Sequence, residues 1–135
     1  MKQVLSVEQM KHLQELGLDT SDASMHWQYL TTVDAIINGT DEIEEEPCLF
    51  VSQPNMKHEY PAYTLQDILD KLPQYIHPFA SKRIKFAWVL EKNAIAYRNV
   101  ENIYDCFKYF TDYSLINAAY DMLCWCIGKG YIKTN

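Results

Sequence analysis

Thiols, imidazoles and carboxylates are the groups in this chain that could do chemistry, and their spacing decides whether they act together. Cys124-Trp125-Cys126 sets two thiols two residues apart. A zinc site or a thiol–disulfide couple needs the wider C-x-x-C spacing, which turns both sulfurs to one side. In a helix, residues two apart point about 200° away from each other. These sulfurs cannot share a metal or a bridge, and they read as buried free thiols. His12, His26, His58 and His77 are scattered, and none falls in an H-E-x-x-H or similar ligand spacing. The acid run Asp41, Glu42, Glu44, Glu45 and Glu46 could attract a hard cation, but it lacks the glycine and the alternating ligands of a calcium loop. It reads as a solvated loop before Pro47.

Other catalytic and binding patterns fare no better. No G-x-S-x-G elbow is present, and no cysteine has a recognisable activating context. Gly17, Gly39, Gly128 and Gly130 are too dispersed to cradle a phosphate, and each suits a cap or a turn. Lys82-Arg83-Ile84-Lys85 lies beside Phe86 and Trp88, a pairing that could hold phosphate and stack bases. Phe86 and Trp88 alternate as a buried strand face does, so the expectation is a charged edge strand over a core, with the lysines discouraging sheet-to-sheet pairing. The sequence thus assigns no catalytic, cofactor-binding or metal-binding residue.

Charge and composition narrow the partners. The net charge is −6, and the acid run carries five of the eighteen acids, which leaves the rest of the chain close to neutral. Binding nucleic acid through bulk electrostatics needs a basic surplus, so no nucleic-acid partner is expected. The chain opens without a basic, apolar, small-residue leader, so the cytoplasm is the expected location, and in that setting four cysteines read as buried thiols rather than a disulfide framework. Asn38-Gly39-Thr40 matches a glycosylation pattern that has no use there. Ten tyrosines are the compositional surplus, and tyrosine suits contact surfaces.

The elements that carry these residues are legible from their ends. Ser6 and Gln9 form a capping box, Leu5 and Met10 a hydrophobic staple, and Gly17 a stop, predicting a helix over Val7–Leu16 with Leu18 folded back on Leu13. Thr64 and Asp67 open a second helix stapled by Tyr63 and Ile68, with Leu65, Ile68, Leu69 and Leu72 on its apolar face and Pro73 ending it. The last helix runs from an N-cap at Ser114 to Ile127, with Gly130 and Tyr131 closing it. It is apolar almost all round apart from a stripe of Asn117 and Asp121, with Cys124 at its edge, so it should be core. It is too short and too polar to span a membrane.

Alternation predicts strands over Met25–Leu30 and Cys48–Ser52, a hairpin over Arg83–Val100 turning at Glu91-Lys92-Asn93, and a strand over Tyr104–Phe110. Residues 31–46 fit either a short helix or a hairpin around Asn38-Gly39, and Tyr75–Ser81 reads as a connection. With no repeat or linker, 1–135 is one domain. The expected architecture is α+β: an antiparallel sheet of about four or five strands packed with the N-terminal, middle and buried C-terminal helices.

Three segments, Val7-Glu8-Gln9-Met10-Lys11-His12-Leu13-Gln14-Glu15-Leu16-Gly17-Leu18-Asp19, Tyr63-Thr64-Leu65-Gln66-Asp67-Ile68-Leu69 and Met122-Leu123-Cys124-Trp125-Cys126-Ile127, resemble small uncharacterised prophage or mobile-element proteins of gut anaerobic bacteria, in the same order. They cover about a quarter of the chain. The resemblance implies a bacterial, cytoplasmic accessory protein and brings no activity, ligand or catalytic residue. The expected role is a non-enzymatic protein–protein interaction, with an unknown protein partner or by self-association. The alternative is a small-ligand-binding domain or enzyme with a motif-less pocket between helices and sheet. A third reading, an acidic mimic of nucleic acid, is the weakest, because its carboxylates are bunched in one segment. The facing assigned to the last helix predicts that Cys126→Ser costs more stability than Cys124→Ser in chemical denaturation; equal or reversed costs would show that facing to be wrong.

Overall fold

The computed structural model describes residues 2–31, 45–52 and 60–134, with side chains undescribed at 28–31 and 45–48. In order, the elements are α1 (Val7–Glu15), β1 (Met25–Thr31), β2 (Glu45–Val51), β3 (Tyr60–Ala62), α2 (Leu65–Lys71), β4 (Tyr75–Ile76), β5 (Phe86–Glu91), β6 (Ala94–Asn99), β7 (Cys106–Thr111) and α3 (Leu115–Gly128). The class is α+β with antiparallel pairing, as expected. The strands are shared between two sheets, one ordered β2-β1-β3 and the other β4-β5-β6-β7. No helix among the described residues is long and apolar enough to cross a membrane.

The helix ends form where local chemistry demands. Ser6 Oγ accepts from the Gln9 amide at 3.2 Å, and Gln9 Oε1 accepts from the Ser6 amide at 3.0 Å. Gly17 takes φ 91, and the Leu18 amide reaches back to the Leu13 carbonyl at 3.1 Å, which closes α1 as a Schellman motif. At the end of α3, Gly130 takes φ 78 and the Tyr131 amide donates to the Cys126 carbonyl at 2.9 Å. Thr64 Oγ1 accepts from the Asp67 amide at 3.2 Å, and Asp67 Oδ2 answers at the Thr64 amide at 2.9 Å.

Asp67 does more than cap α2. The same Oδ2 accepts from the Ser24 hydroxyl at 2.7 Å and the Ser24 amide at 3.1 Å, which ties α2 to the residue entering β1. Nearby, Tyr63 is wholly buried and its hydroxyl donates toward Asp22 Oδ1 at 2.9 Å, with Lys71 Nζ on the other oxygen of that carboxylate at 2.7 Å. The entry to β1 is thus held to α2 by polar contacts, while Leu5, Met10 and Leu13 bury the apolar face of α1 beneath them.

The other end of the core lies between α3 and the four-stranded sheet. Ile116, Ala118, Ala119, Met122, Leu123 and Cys126 are buried, against Phe86, Ile95 and Tyr97 from the strands. The predicted hairpin is present with its regular pairing over Phe86–Asn99, so Arg83 and Ile84 precede the strand. Lys92 and Asn93 make the turn, with Asn93 at φ 57, a left-handed conformation asparagine tolerates.

Five expectations need correction. Tyr75–Ile76 lies in a strand, since these residues pair with Ala87 and Phe86; two residues are too few for alternation to show. Glu45 and Glu46 open β2 opposite Thr31 and Leu30, while Asp41, Glu42 and Glu44, like the Asn38-Gly39 turn, lie outside the described residues. The last sheet strand begins at Cys106 and leaves Tyr104 in a turn closed by the Asp105 amide on the Asn102 carbonyl. Ser114 stands at the α3 N-cap without a side-chain cap bond; its own amide donates to Asp112 Oδ1 at 2.9 Å. Lys82–Lys85 do not lie along an edge strand, because they lead into β5, which has β4 on one side and β6 on the other.

Because Asp67 accepts three bonds beyond its own capped amide, Asp67→Ala is expected to cost about 2 to 3 kcal/mol, against about 1 kcal/mol for Ser6→Ala. Urea unfolding of both variants checks the order, and equal losses would mean that the Ser24 tie adds nothing to stability.

Candidate interaction surface

Among the described residues, those singled out for chemistry do not converge. Cys126 is wholly buried, its Sγ 3.9 Å from the Tyr97 hydroxyl, while Cys124 is half-buried at the margin of the core. Burial pushes the Cys126 thiol up to about 12 and raises Cys124 above the ordinary thiol range, so neither presents a thiolate nucleophile near neutrality. His26 is buried and stacks on Phe50 with ring centroids 5.9 Å apart. His12 rests edge-on against Tyr120 at 6.4 Å, and His77 is exposed just after β4. His58 lies outside the described residues, and among those described no three His, Cys, Asp or Glu side chains group as metal ligands. Of the basic run, Lys85 is spent on the Tyr75 ring, with Nζ 4.3 Å from its centroid.

The polar stripe of α3 is also occupied. Asn117 Oδ1 accepts from Lys2 Nζ at 2.9 Å and from Gln9 Nε2 at 3.1 Å, which binds the N-terminal segment and α1 to the last helix. Asp121 remains half-buried, and loss of water raises its carboxyl above the usual range, with the charge of Asp112 adding to the rise.

A cleft of about 690 Å³ opens between the N-terminal ends of α2 and α3, walled by Lys2, Leu65, Asn93, Tyr113 and Leu115. Among its described lining residues there is no histidine, cysteine or carboxylate, and the Thr64 hydroxyl is engaged in capping. Its walls can hold an apolar ligand; they bring no acid–base pair together.

What the structure does bring together is aromatic rings along β7. Phe107 packs on Phe86 at 5.3 Å, on Phe79 at 5.9 Å and on Trp125 at 6.0 Å, and Trp125 meets Tyr131 at 5.5 Å. The inner end of this chain of rings, Phe86, is buried, while Phe79 is 52% exposed at the outer end. Lys108 lies across it, Nζ 5.0 Å from the Phe110 ring centroid and 5.9 Å from Trp125. A bulge makes this arrangement: Lys108 stands opposite Tyr97 and Cys106 opposite Arg98, so Phe107 is the extra residue and turns toward Trp125 on α3. Around it, Ile103, Tyr104, Tyr109 and Tyr113 are largely exposed. β7 is also the outer strand of its sheet among the described residues. Alternation pointed to a strand here, but the bulge and the exposure of these rings left no local signal.

Comparison with protein-family models, with characterised proteins and with solved structures found no match to this chain. The surface therefore rests on its own geometry.

The raised carboxyl of Asp121 has a signed consequence. A folded-state pKa above the unfolded value means that the folded chain binds the proton more tightly, so the penalty is absent below the unfolded pKa and present in full above the folded one. Asp121→Asn should raise the melting temperature at neutral pH, with the gain vanishing below the ordinary carboxylate range. Thermal melts across pH check it, and a gain that persists in acid would contradict desolvation as its cause.

Proposed function

We propose that this chain is a non-enzymatic protein–protein interaction module, acting as a cytoplasmic accessory protein of a prophage or other mobile element in a bacterium. The observation that carries the reading is the concentration of exposed aromatic rings on and beside β7, where Phe79 is half exposed at the outer end of the core-anchored ladder and Tyr104, Tyr109 and Tyr113 stand largely in solvent. Phe79, backed by Phe86 and Phe107, is held rigid and loses little entropy on contact, and tyrosine is enriched in the cores of protein interfaces. The dispersal of the described thiols and imidazoles supports the same reading. The mobile-element setting rests on the sequence resemblance alone.

The test is association of the purified chain, with itself by sedimentation and with proteins of its host by affinity capture. A Phe79→Ser/Tyr109→Ser variant should keep the wild-type melting temperature within a few degrees and lose association at least about tenfold, as expected when central aromatic contacts are removed. Absence of any association in the wild type would end this reading.

The cleft of about 690 Å³ favours a second reading, a small-ligand-binding domain or an enzyme with a motif-less pocket, since pockets for small molecules run from about 300 to 1,000 Å³. A ligand shift in a thermal-melt screen, abolished by Leu115→Trp filling the cleft, would favour it over the interaction module.

A further inference from the structure

The outer edge of β7 has a definite hydrogen-bonding phase. The Asp112 amide donates to the Asn93 carbonyl at 3.0 Å, and on the far side of β6 the Val100 amide donates to the Lys85 carbonyl at 3.2 Å. In an antiparallel ladder, bonded and non-bonded pairs alternate. With Ile95 opposite Phe110 and Tyr97 opposite Lys108, odd-numbered residues of β6 therefore bond to β7 and even-numbered ones to β5. On β7, Lys108 and Phe110 turn their backbone groups inward, and Tyr109 and Thr111 direct theirs away from the sheet. The bulge at Phe107 ends the regular edge on one side, so the open template is the stretch Lys108-Tyr109-Phe110-Thr111-Asp112.

That stretch is complementary to itself when reversed. Paired antiparallel about Phe110, Tyr109 of one copy bonds with Thr111 of the other and Thr111 with Tyr109, which uses all the outward backbone groups of both residues. Phe110 faces Phe110 as a non-bonded pair, the closer kind, with its rings on the α3 side. Lys108 then stands directly opposite Asp112 of the second copy, and this happens twice. Shifting the register by two residues either way loses both charge pairs, since Lys108 meets Phe110 in one and Phe110 meets Asp112 in the other.

Neither charge is held in an ion pair within 4 Å among the described residues, although Asp112 also feels the charge of Lys2. Among the described residues Lys108 has no carboxylate within 4 Å and lies over the Phe110 and Trp125 rings. Asp112 gives one oxygen, Oδ1, to the Ser114 amide, and its other oxygen makes no bond among the described residues. The two groups share one face: Lys108 overlies Trp125 of α3, and the charge of Asp112 is felt by Asp121 of the same helix.

Resting on the interaction reading, we propose that the partner is a second copy of this chain, and that two copies pair antiparallel through Lys108–Asp112 of β7 with Lys108 of each opposite Asp112 of the other. The result joins two four-stranded sheets into one of eight, with the aromatic ladders of both copies on the same face.

The register is tested by charge reversal. The wild-type chain should dimerise in sedimentation equilibrium, and Lys108→Glu or Asp112→Lys alone should weaken this at least about tenfold by facing like charges across the two-fold axis. An equimolar mixture of a Lys108→Glu chain with an Asp112→Lys chain should restore it, because both cross-strand pairs are then opposite in sign. Circular dichroism melts verify that each variant is folded. If Asp112→Lys does not fold, Phe110→Cys substitutes: the proposed register brings the two introduced thiols within bridging distance, and oxidation should give a covalent dimer through them. A wild-type chain that stays monomeric, a dimer indifferent to both reversals, or the failure of both the mixture and the cross-link would overturn the pairing. A monomer that still captures a host protein through Phe79 and Tyr109 would overturn the pairing alone and leave the interaction reading standing.

Discussion

A phenol hydroxyl taken out of water needs an acceptor, and two such groups hold this fold together. Tyr97, wholly buried beneath α3, donates to the Pro73 carbonyl at 2.7 Å, the residue at which α2 must stop. Tyr63, equally buried, donates to the Asp22 carboxylate just before β1, with the Asp19 carbonyl also 3.1 Å from its hydroxyl. Each bond links an element to a chain reversal that has no ladder of its own. Leaving such a hydroxyl unpaired would cost about 1 to 3 kcal/mol. Both bonds lie at the ends of α2, at Tyr63 just before it and at Pro73 just after it. Burial also drives both phenols far above their usual ionisation range, so they remain donors at any physiological pH.

The remaining tyrosines show the opposite use of the same side chain. Tyr104, Tyr109 and Tyr113 stand on or beside the strand that is outermost among the described residues and are largely exposed. The bulge at Phe107 links the two populations, since it rotates one ring from the strand into contact with Trp125 and Phe86. Rigid backing and solvent exposure are combined at Phe79. The same bulge limits the regular outer ladder to a few residues, which restricts strand addition to a short partner.

The thiols illustrate how packing overrides an eye-catching motif. Cys124 and Cys126 are neighbours on paper and lie on different sides of α3, one half-buried and one against Tyr97. Helical geometry alone predicts that separation. It does not predict that the Cys126 sulfur meets the Tyr97 hydroxyl, because that depends on where β6 places Tyr97.

Caps and stops were legible in the chain because they are made within four to six residues. Ser6 with Gln9, Thr64 with Asp67, Gly17 and Gly130 each complete their hydrogen bonds locally, so residue identity suffices. The apolar character of α3 likewise declared it core. Long-range partners settled everything else. Tyr75–Ile76 became a strand only because Ala87 and Phe86 lie beside it, and Asp67 acquired Ser24, forty-three residues away. Asn117, which looked like an outward stripe, is covered by Lys2 and Gln9. Which tyrosines are buried, how the strands divide into two sheets, and which strand is left outermost are properties of pairing between distant segments, and local propensity carries no information about them.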